Sequence, residues 1–186
     1  EHISAMLDVP TVIRKSAQLW DGGYTIVGTI GNGDLFFMRD PNGIRPCFYY
    51  EDDELLVVAS ERVALMSVLE LEHEQVKELP PAHVAVMKAC GTLKISEFTP
   101  TRPYKPCSFE RIYFSRGNDA EIYQQRKRLG ETLVPQLIDA IDNDFGHTVL
   151  SFIPNTAETA YFGFLDGLRK SRRDVVKAAL VEMMKK

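Results

Sequence analysis

A proline-rich segment divides the sequence into two parts whose hydrophobic patterns differ. Residues 99–108 read Thr-Pro-Thr-Arg-Pro-Tyr-Lys-Pro-Cys-Ser and contain three prolines and few apolar side chains. Because proline fixes φ and removes a backbone donor, such a stretch does not continue a helix or an inner strand. The segment predicts a linker or crossing segment, and we place a domain boundary between residues 103 and 104.

The part before the linker predicts one helix followed by short strands. Residues 10–20 carry apolar side chains at helical spacing, with Asp8 as a candidate cap. A hairpin turn is expected at residues 31–34, Gly-Asn-Gly-Asp, because Asn and Gly tolerate positive φ. Another turn is expected at residues 40–43, Asp-Pro-Asn-Gly, where Pro presets φ and Gly permits the left-handed position, and a further hairpin around residues 51–53. A short helix is expected from residue 60 or 61 to about residue 69. The expected strands are residues 24–30, 35–39, 45–50, 55–59, 76–79, 83–88 and 92–98.

The part after the linker predicts the beginning of an α/β domain. Residues 110–114 and 148–153 are expected strands, and residues 121–141 form an amphipathic helix that Pro135 should kink or divide. Helices are expected at residues 156–168 and 171–186. A strand followed by a turn and a helix is the first part of an α/β unit. The whole chain is therefore expected to be an α+β protein.

Charge and composition argue against several classes of function. The net charge is −4, and basic residues cluster only near residues 169–173 and 185–186, which we interpret as a solvated helix face. We therefore expect no nucleic-acid binding. No apolar run approaches the roughly 20 residues of a membrane helix, and no signal peptide opens the chain. The widely spaced cysteines, Cys47, Cys90 and Cys107, indicate a reduced, cytoplasmic setting rather than a disulfide framework.

The best local candidate for a ligand site is the polar turn within residues 152–160. Ligands bind at the carboxyl ends of strands in open α/β sheets, and the amides of a helix N-terminus can hold an anion. The alternative is that Thr156 or Asn155 only caps the following helix. Neither the spacing of the histidines nor that of the paired carboxylates predicts a catalytic pair.

Five elements, in order, resemble those of the glutamine amidophosphoribosyltransferases. The first two of them, as a pair in a shorter form, also occur in glucosamine-6-phosphate synthase. The third resembles the family's linker into its phosphoribosyltransferase domain, and the fourth its Tyr-x-x-Arg-x-x-Leu-Gly helix. The five are Asp-Pro-Asn-Gly-Ile-Arg-Pro at residues 40–46, Val-Val-Ala-Ser-Glu-Arg at residues 57–62, residues 107–116, residues 123–130 and residues 152–160.

This resemblance implies a two-domain enzyme. Residues 1–103 would be the C-terminal part of an N-terminal-nucleophile glutaminase of αββα type, which releases ammonia from glutamine. Residues 104–186 would begin an α/β phosphoribosyltransferase domain, which delivers the ammonia to phosphoribosyl pyrophosphate with Mg²⁺. The product would be 5-phosphoribosylamine, the first committed intermediate of purine synthesis, and the enzyme is expected to be a homo-oligomer.

The resemblance also suggests roles for a few residues. Thr156 matches a Thr or Ser at the family's Mg²⁺–substrate site, although Asn155 replaces the usual acidic residue. Tyr113 matches a residue near the passage between the two sites, and Arg116 is its neighbour. Cys107 matches one of four ligands of the [4Fe–4S] cluster that some members hold, but no other ligand of that set is present.

The family's catalytic groups are not found in the sequence. Residue 1 is Glu1 rather than the nucleophilic cysteine, and the acidic pair that grips the diphosphate is absent. We assign no catalytic residue, and we expect the chain alone to be inactive and to self-associate through uncovered sheet edges. The alternatives are a non-catalytic binding or assembly module on a remnant fold, and a sugar-phosphate amidotransferase. Residues 107–116 argue against the last, because those enzymes continue into a sugar-isomerase domain.

Overall fold

The chain folds into two compact units, Glu1–Glu110 and Arg111–Lys186. The computed structural model describes residues 7–155 and 157–185. The division between the units lies shortly after the proline-rich segment, because that segment hydrogen-bonds to the first unit. The assignment of residues 1–103 and 104–186 to two enzyme domains stays a prediction.

From residue 7 onward, the first unit contains two antiparallel sheets and two α-helices. Helix α1 is Val9–Ser16, followed by a 3₁₀ turn at Ala17–Leu19, and helix α2 is Arg62–Leu69. The four-stranded sheet has the order β1–β2–β6–β7, with β1 Thr25–Thr29, β2 Leu35–Arg39, β6 His83–Met87 and β7 Leu93–Glu97. The three-stranded sheet has the order β4–β3–β5, with β3 Phe48–Glu51, β4 Leu56–Ala59 and β5 Lys77–Glu78.

The strands and hairpins predicted between residues 24 and 98 are confirmed. Strands β1 and β2 pair from Thr25 opposite Arg39 to Thr29 opposite Leu35, and β3 pairs with β4 in the same antiparallel way. The third strand begins at Phe48 rather than at residue 45, since Pro46 has no backbone N–H for a sheet. The alternation of side chains in these strands gives each sheet two distinct faces.

The four-stranded sheet is apolar on both faces. Met38, Val84 and Val86 point toward α1 and pack with Val9, Ile13 and Phe98. The neighbouring Phe37 and Ala85 point the other way and pack with residues around the second sheet, namely Cys47, Tyr49 and Leu79. Such burial on both faces is expected of a sheet that lies inside a layered domain.

Helix α2 lies on the outer face of the second sheet. Tyr49 points into the core between the sheets, so its neighbour Phe48 points away from it. The guanidinium of Arg62, the first residue of α2, lies 4.8 Å from the centre of the Phe48 ring. The layers of the first unit therefore follow the order helix, sheet, sheet, helix.

The regular secondary structure in the described residues of the second unit is all helical. A π-helical turn covers Glu110–Phe114, and the helices are α3 Ala120–Thr132, α4 Val134–Ala140 and α5 Ala157–Met184. The break between α3 and α4 confirms the effect predicted for Pro135, which lies in the first turn of α4. In place of the two separate helices expected at residues 156–168 and 171–186, the structure has one continuous helix of 28 residues, α5.

Two strand predictions in the second unit are wrong. Residues 110–114 form the π-helical turn, and residues 148–153 have no regular secondary structure, with Val149 93% exposed. An apolar run becomes a strand only when a neighbouring strand pairs with its backbone, and the described part of this unit offers none. The strand–turn–helix start of an α/β domain is therefore not formed here.

None of the helices in the described part of the chain is both long enough and apolar enough to cross a membrane.

Candidate functional site

The loop at residues 40–46, which we call the signature loop, is organised by one buried carboxylate. Asp40 is completely buried and accepts the backbone N–H groups of Asn42 at 3.1 Å, Ile44 at 2.9 Å and Arg45 at 3.0 Å. The carbonyl of Asp40 accepts the N–H of Gly43 at 3.1 Å, and Gly43 has φ +62°. The loop therefore needs an acceptor at its start and glycine at its fourth residue.

Arg39 supports the same loop from the end of strand β2. It is 3% exposed, and its guanidinium donates to the carbonyl oxygens of Arg45 at 2.7 Å and Leu79 at 2.9 Å. It also forms an ion pair of 2.7 Å with Glu78. Sequence reasoning missed Arg39. The available signal was a charge at the end of the apolar run Leu-Phe-Phe-Met, directly before the signature loop.

The proline-rich segment lies against the signature loop. Backbone N–H groups of the segment donate to carbonyl oxygens of the loop: Arg102 to Pro41 at 3.0 Å, Lys105 to Asn42 at 2.8 Å and Cys107 to Ile44 at 3.1 Å. Both elements were predicted from the sequence, whereas the contact between them was not.

In the second unit, a buried arginine stabilises a turn by donating to its backbone carbonyl oxygens. Arg126, in α3, is 6% exposed and donates to the carbonyl oxygens of Arg111 at 2.9 Å and Ser115 at 2.8 Å. The carboxylate of Asp119 caps the same helix by accepting the N–H groups of Glu121 and Ile122. The arginine of the Tyr-x-x-Arg-x-x-Leu-Gly element thus binds the turn that precedes its own helix.

The glycine of that element allows α3 and α5 to pack closely. A Cβ on Gly130 would lie 1.7 Å from the carbonyl oxygen of Ala160. Lys127 and Asp166 join the same two helices through an ion pair of 2.6 Å. This element is therefore explained by packing and turn geometry within the unit.

Tyr113 and Arg116 both lie in the exposed stretch before α3. The side chain of Tyr113 is 61% exposed, and its ring meets the ring of Phe114 edge-on at 5.3 Å between centroids. Arg116 is exposed, and its carbonyl oxygen accepts the N–H of Asp119 at 3.2 Å. Their suggested role near a substrate passage stays a prediction.

The suggested metal-binding residues do not form a complete site. Thr156 lies outside the described residues, and its neighbour Asn155 is exposed. Cys107 is a half-buried free thiol. Within residues 7–155 and 157–185, no three histidine, cysteine, aspartate or glutamate side chains come together as they would around a metal ion.

The partners found for the described imidazoles do not include a thiol. Burial raises the pKa of Cys47 to about 12, so this thiol is protonated at neutral pH. Cys90 is exposed, and a hydrogen bond from the Thr92 hydroxyl lowers its pKa. The described imidazoles are held by other groups: His73 by Arg62, His83 by the Pro81 carbonyl and His147 by Asp144.

Curated relatives resemble this chain over most of its length. It is 30% identical over 165 residues to an amidophosphoribosyltransferase of Lachancea kluyveri, which covers 82% of this chain and 32% of the relative. It is also 30% identical over 148 residues to that of Pseudomonas aeruginosa, covering 75% of this chain and 28% of the relative. The chain belongs to the amidophosphoribosyltransferase family. It spans about a third of the length of these amidophosphoribosyltransferases, and no family model matches it.

Two solved structures have a fold similar to that of this chain. The glutamine phosphoribosylpyrophosphate amidotransferase of B. subtilis, complexed with ADP and GMP, gives a TM-score of 0.65 at 23% identity, covering 84% of this chain and 33% of the other. A structure described as the allosteric regulatory enzyme of purine biosynthesis gives a TM-score of 0.66 at 22% identity, covering 89% of this chain and 35% of the other. At this level of identity, the comparison shows the fold alone.

Proposed function

We propose that the chain is an internal segment of an amidophosphoribosyltransferase. It would span the end of the glutaminase domain and the start of the phosphoribosyltransferase domain. The observation that carries this is the 165-residue alignment with the L. kluyveri enzyme. That alignment is longer than either compact unit, so the similarity extends over both. The whole enzyme would transfer glutamine-derived ammonia to phosphoribosyl pyrophosphate in the cytoplasm, giving 5-phosphoribosylamine for purine synthesis.

The layers of the first unit support its assignment to the glutaminase domain. A helix, two sheets and a second helix follow one another, as expected for the αββα fold of N-terminal-nucleophile enzymes. The signature loop, held by Asp40 and Arg39, lies between β2 and β3 of this layered unit. The proposed role of these residues is to build the scaffold, since their polar groups are engaged by the backbone of the chain itself.

The described residues do not fit either of the inorganic groups found in the family. Mg²⁺ prefers carboxylate oxygens, but the turn near Thr156 carries Asn155 where the family has an acidic residue. A [4Fe–4S] cluster needs four thiolates, whereas this chain has three cysteines, of which Cys47 is buried and protonated. We therefore propose that this segment by itself binds neither group and catalyses neither half-reaction.

The proposal is tested by enzymology on two proteins. The open reading frame that contains this chain is expected to encode an upstream Met-Cys start and to produce phosphoribosylamine from glutamine and phosphoribosyl pyrophosphate. The 186-residue chain alone is expected to release no ammonia from glutamine above the blank. Absence of product from the full reading frame would contradict the proposed function, and ammonia release by the chain alone would contradict its inactivity.

A non-catalytic module for binding or assembly is the second candidate. Exposed apolar side chains on α5 favour it, including Val175 at 67% exposed and Met184 at 87%. Such a surface is typical of a segment that contacts another chain or another domain. A start codon immediately before Glu1 would favour this candidate over the enzyme segment.

A further inference from the structure

The proline-rich segment crosses the first unit as an extended strap. Residues 101–106 are exposed and have no helix or strand, yet the amides of Arg102, Lys105 and Cys107 all donate to the signature loop. The positions between these donors include Pro103 and Pro106, which have no N–H to satisfy. The strap can therefore donate to the loop from the residues around the prolines, and at the two proline positions there is no N–H group that needs an acceptor.

Side chains of the signature loop also reach the strap. The amide nitrogen Nδ2 of Asn42 donates to the carbonyl oxygen of Pro103 at 2.9 Å. Arg45 forms an ion pair with Glu110, whose side chain is 14% exposed. Glu110 is the last residue of the first unit, so the contacts hold the strap along its length up to that residue.

Gly43 shows that the loop is shaped for this close approach. A Cβ on Gly43 would lie 2.7 Å from Cε2 of Tyr104 and 2.9 Å from Cγ of Pro81. Tyr104 belongs to the strap, and it can lie over the loop only because residue 43 has no side chain. Glycine at position 43 therefore permits both the positive φ and the close approach of the strap.

From these contacts we infer that the signature loop is a recognition surface for an extended, proline-rich segment of its own chain, with Asn42 and Arg45 as its positioning residues. Proline-rich segments are suited to such docking because their extended conformation is largely formed before binding and little entropy is lost. The C-terminal end of the first unit is thus a docked strap rather than a free tether.

Amide hydrogen exchange on the full 186-residue chain tests this inference. The amides of Arg102, Lys105 and Cys107 are expected to be protected in the wild-type chain, since each is bonded to a loop carbonyl. Asn42→Ala is expected to raise their exchange rates by roughly threefold to tenfold, as for the loss of one hydrogen bond. Exchange of these three amides at the rate of an unstructured peptide would overturn the inference.

Two further variants and a control keep the test decisive if Asn42→Ala does not fold. The side chain of Arg45 is 46% exposed, so Arg45→Ala should fold and should still raise exchange at Cys107. Exchanging the charges, Arg45→Glu with Glu110→Arg, should restore protection. Glu51→Ala removes an ion pair with Lys77 elsewhere in the same unit and should leave the strap amides unchanged. Unaltered protection in Arg45→Ala would also overturn the inference.

Discussion

Gly130 and Gly163 lie on facing surfaces of α3 and α5, each against the backbone of the other helix. A Cβ on Gly130 would lie 1.7 Å from the carbonyl oxygen of Ala160, and a Cβ on Gly163 would lie 2.0 Å from that of Lys127. Backbone atoms cannot move aside as the end of a flexible side chain can. The two helices can approach this closely only while both positions are glycine.

We expect either Gly130→Ala or Gly163→Ala to destabilise the second unit by about 3 kcal/mol, the upper part of the range for overpacking. Urea unfolding followed by the helical circular dichroism signal measures the change. Gly146→Ala is the matched control, because a Cβ there would come no nearer than 3.4 Å to an atom of the Asp144 side chain. A Gly130→Ala protein as stable as the wild type would show that the helices pack differently.

The carboxylate of Asp40 is expected to be a main determinant of stability in the first unit. Asp40→Ala leaves the N–H groups of Asn42, Ile44 and Arg45 without their acceptor. We expect a loss on the order of 3 kcal/mol in the free energy of unfolding, since each unsatisfied buried donor costs about 1–3 kcal/mol and the loop can partly relax. Thermal unfolding of the purified chain provides the measurement.

Asp40→Asn serves as the graded comparison for that prediction. Its remaining oxygen can still accept from Asn42 and Ile44, while the amide nitrogen cannot accept from Arg45. The loss should therefore be about 1–2 kcal/mol, smaller than that of Asp40→Ala. Equal losses in the two variants would mean that the charge of Asp40, and not the number of its hydrogen bonds, supports the loop.

The hairpins could be predicted from the sequence because their signals are local. In the turn at residues 31–34, Gly33 takes φ +91°, a value that few residues other than glycine adopt, and the strands on either side pair as expected. The role of Arg39 could not be predicted, since its partner Leu79 is 40 positions away in the sequence. Local pattern contains no information on such a distant carbonyl group.

The wrong strand predictions in the second unit have the same physical origin. Residues 148–153 are as apolar as a strand, but pairing depends on a neighbour elsewhere in the chain. Residues 110–114 curl into a turn because Arg126 binds the carbonyl oxygens of Arg111 and Ser115. The identities of these residues can be read from the sequence, but the groups that they contact depend on the fold.

The three cysteines should differ in their rate of reaction with a thiol reagent at pH 8. Cys90 is exposed, and its lowered pKa gives it more thiolate than an ordinary exposed cysteine, so it should react faster than the other two. Cys47 is buried with a pKa of about 12, so it should react only after unfolding. Mass spectrometry of the labelled chain assigns each site.

Cys90→Ser should remove the fast phase of that reaction, and denaturant should make all cysteines reactive. Rapid labelling of Cys47 in the folded chain would contradict its burial. It would also reopen the question of whether this thiol can act as a nucleophile, which its high pKa now argues against.

Self-association of the chain is expected from the uncovered apolar side chains of α5. Val176 and Leu180 lie one helical turn apart and are 50% and 49% exposed. Light scattering should show a mass that increases with concentration, and the double variant Val176→Glu, Leu180→Glu should reduce this increase. Lys177→Glu changes the charge at an exposed neighbouring position and serves as control. A monomer at every concentration would contradict the expectation.

Asp34 joins the turn after β1 to the turn after β6, and its ionisation should depend on Lys88. Its carboxylate accepts from Lys88 Nζ at 2.8 Å and from the N–H of Ala89 at 3.1 Å, which lowers its pKa below the ordinary value of 3.8. A carboxyl whose pKa is lower in the folded chain contributes stability above its unfolded pKa. That contribution is lost as the pH falls through the folded pKa, that is, below 3.8.

Lys88→Met removes the largest cause of this shift, so the pKa of Asp34 should rise toward 3.8 and the stability lost when Asp34 is protonated should become smaller. Carboxyl NMR measures the titration of Asp34 directly. Asp52 is the internal control, because its lowered pKa comes from the N–H groups of Glu54 and Leu55 and should not change. If the pKa of Asp34 stays low without Lys88, then the backbone N–H of Ala89 and not the ammonium group is the dominant partner.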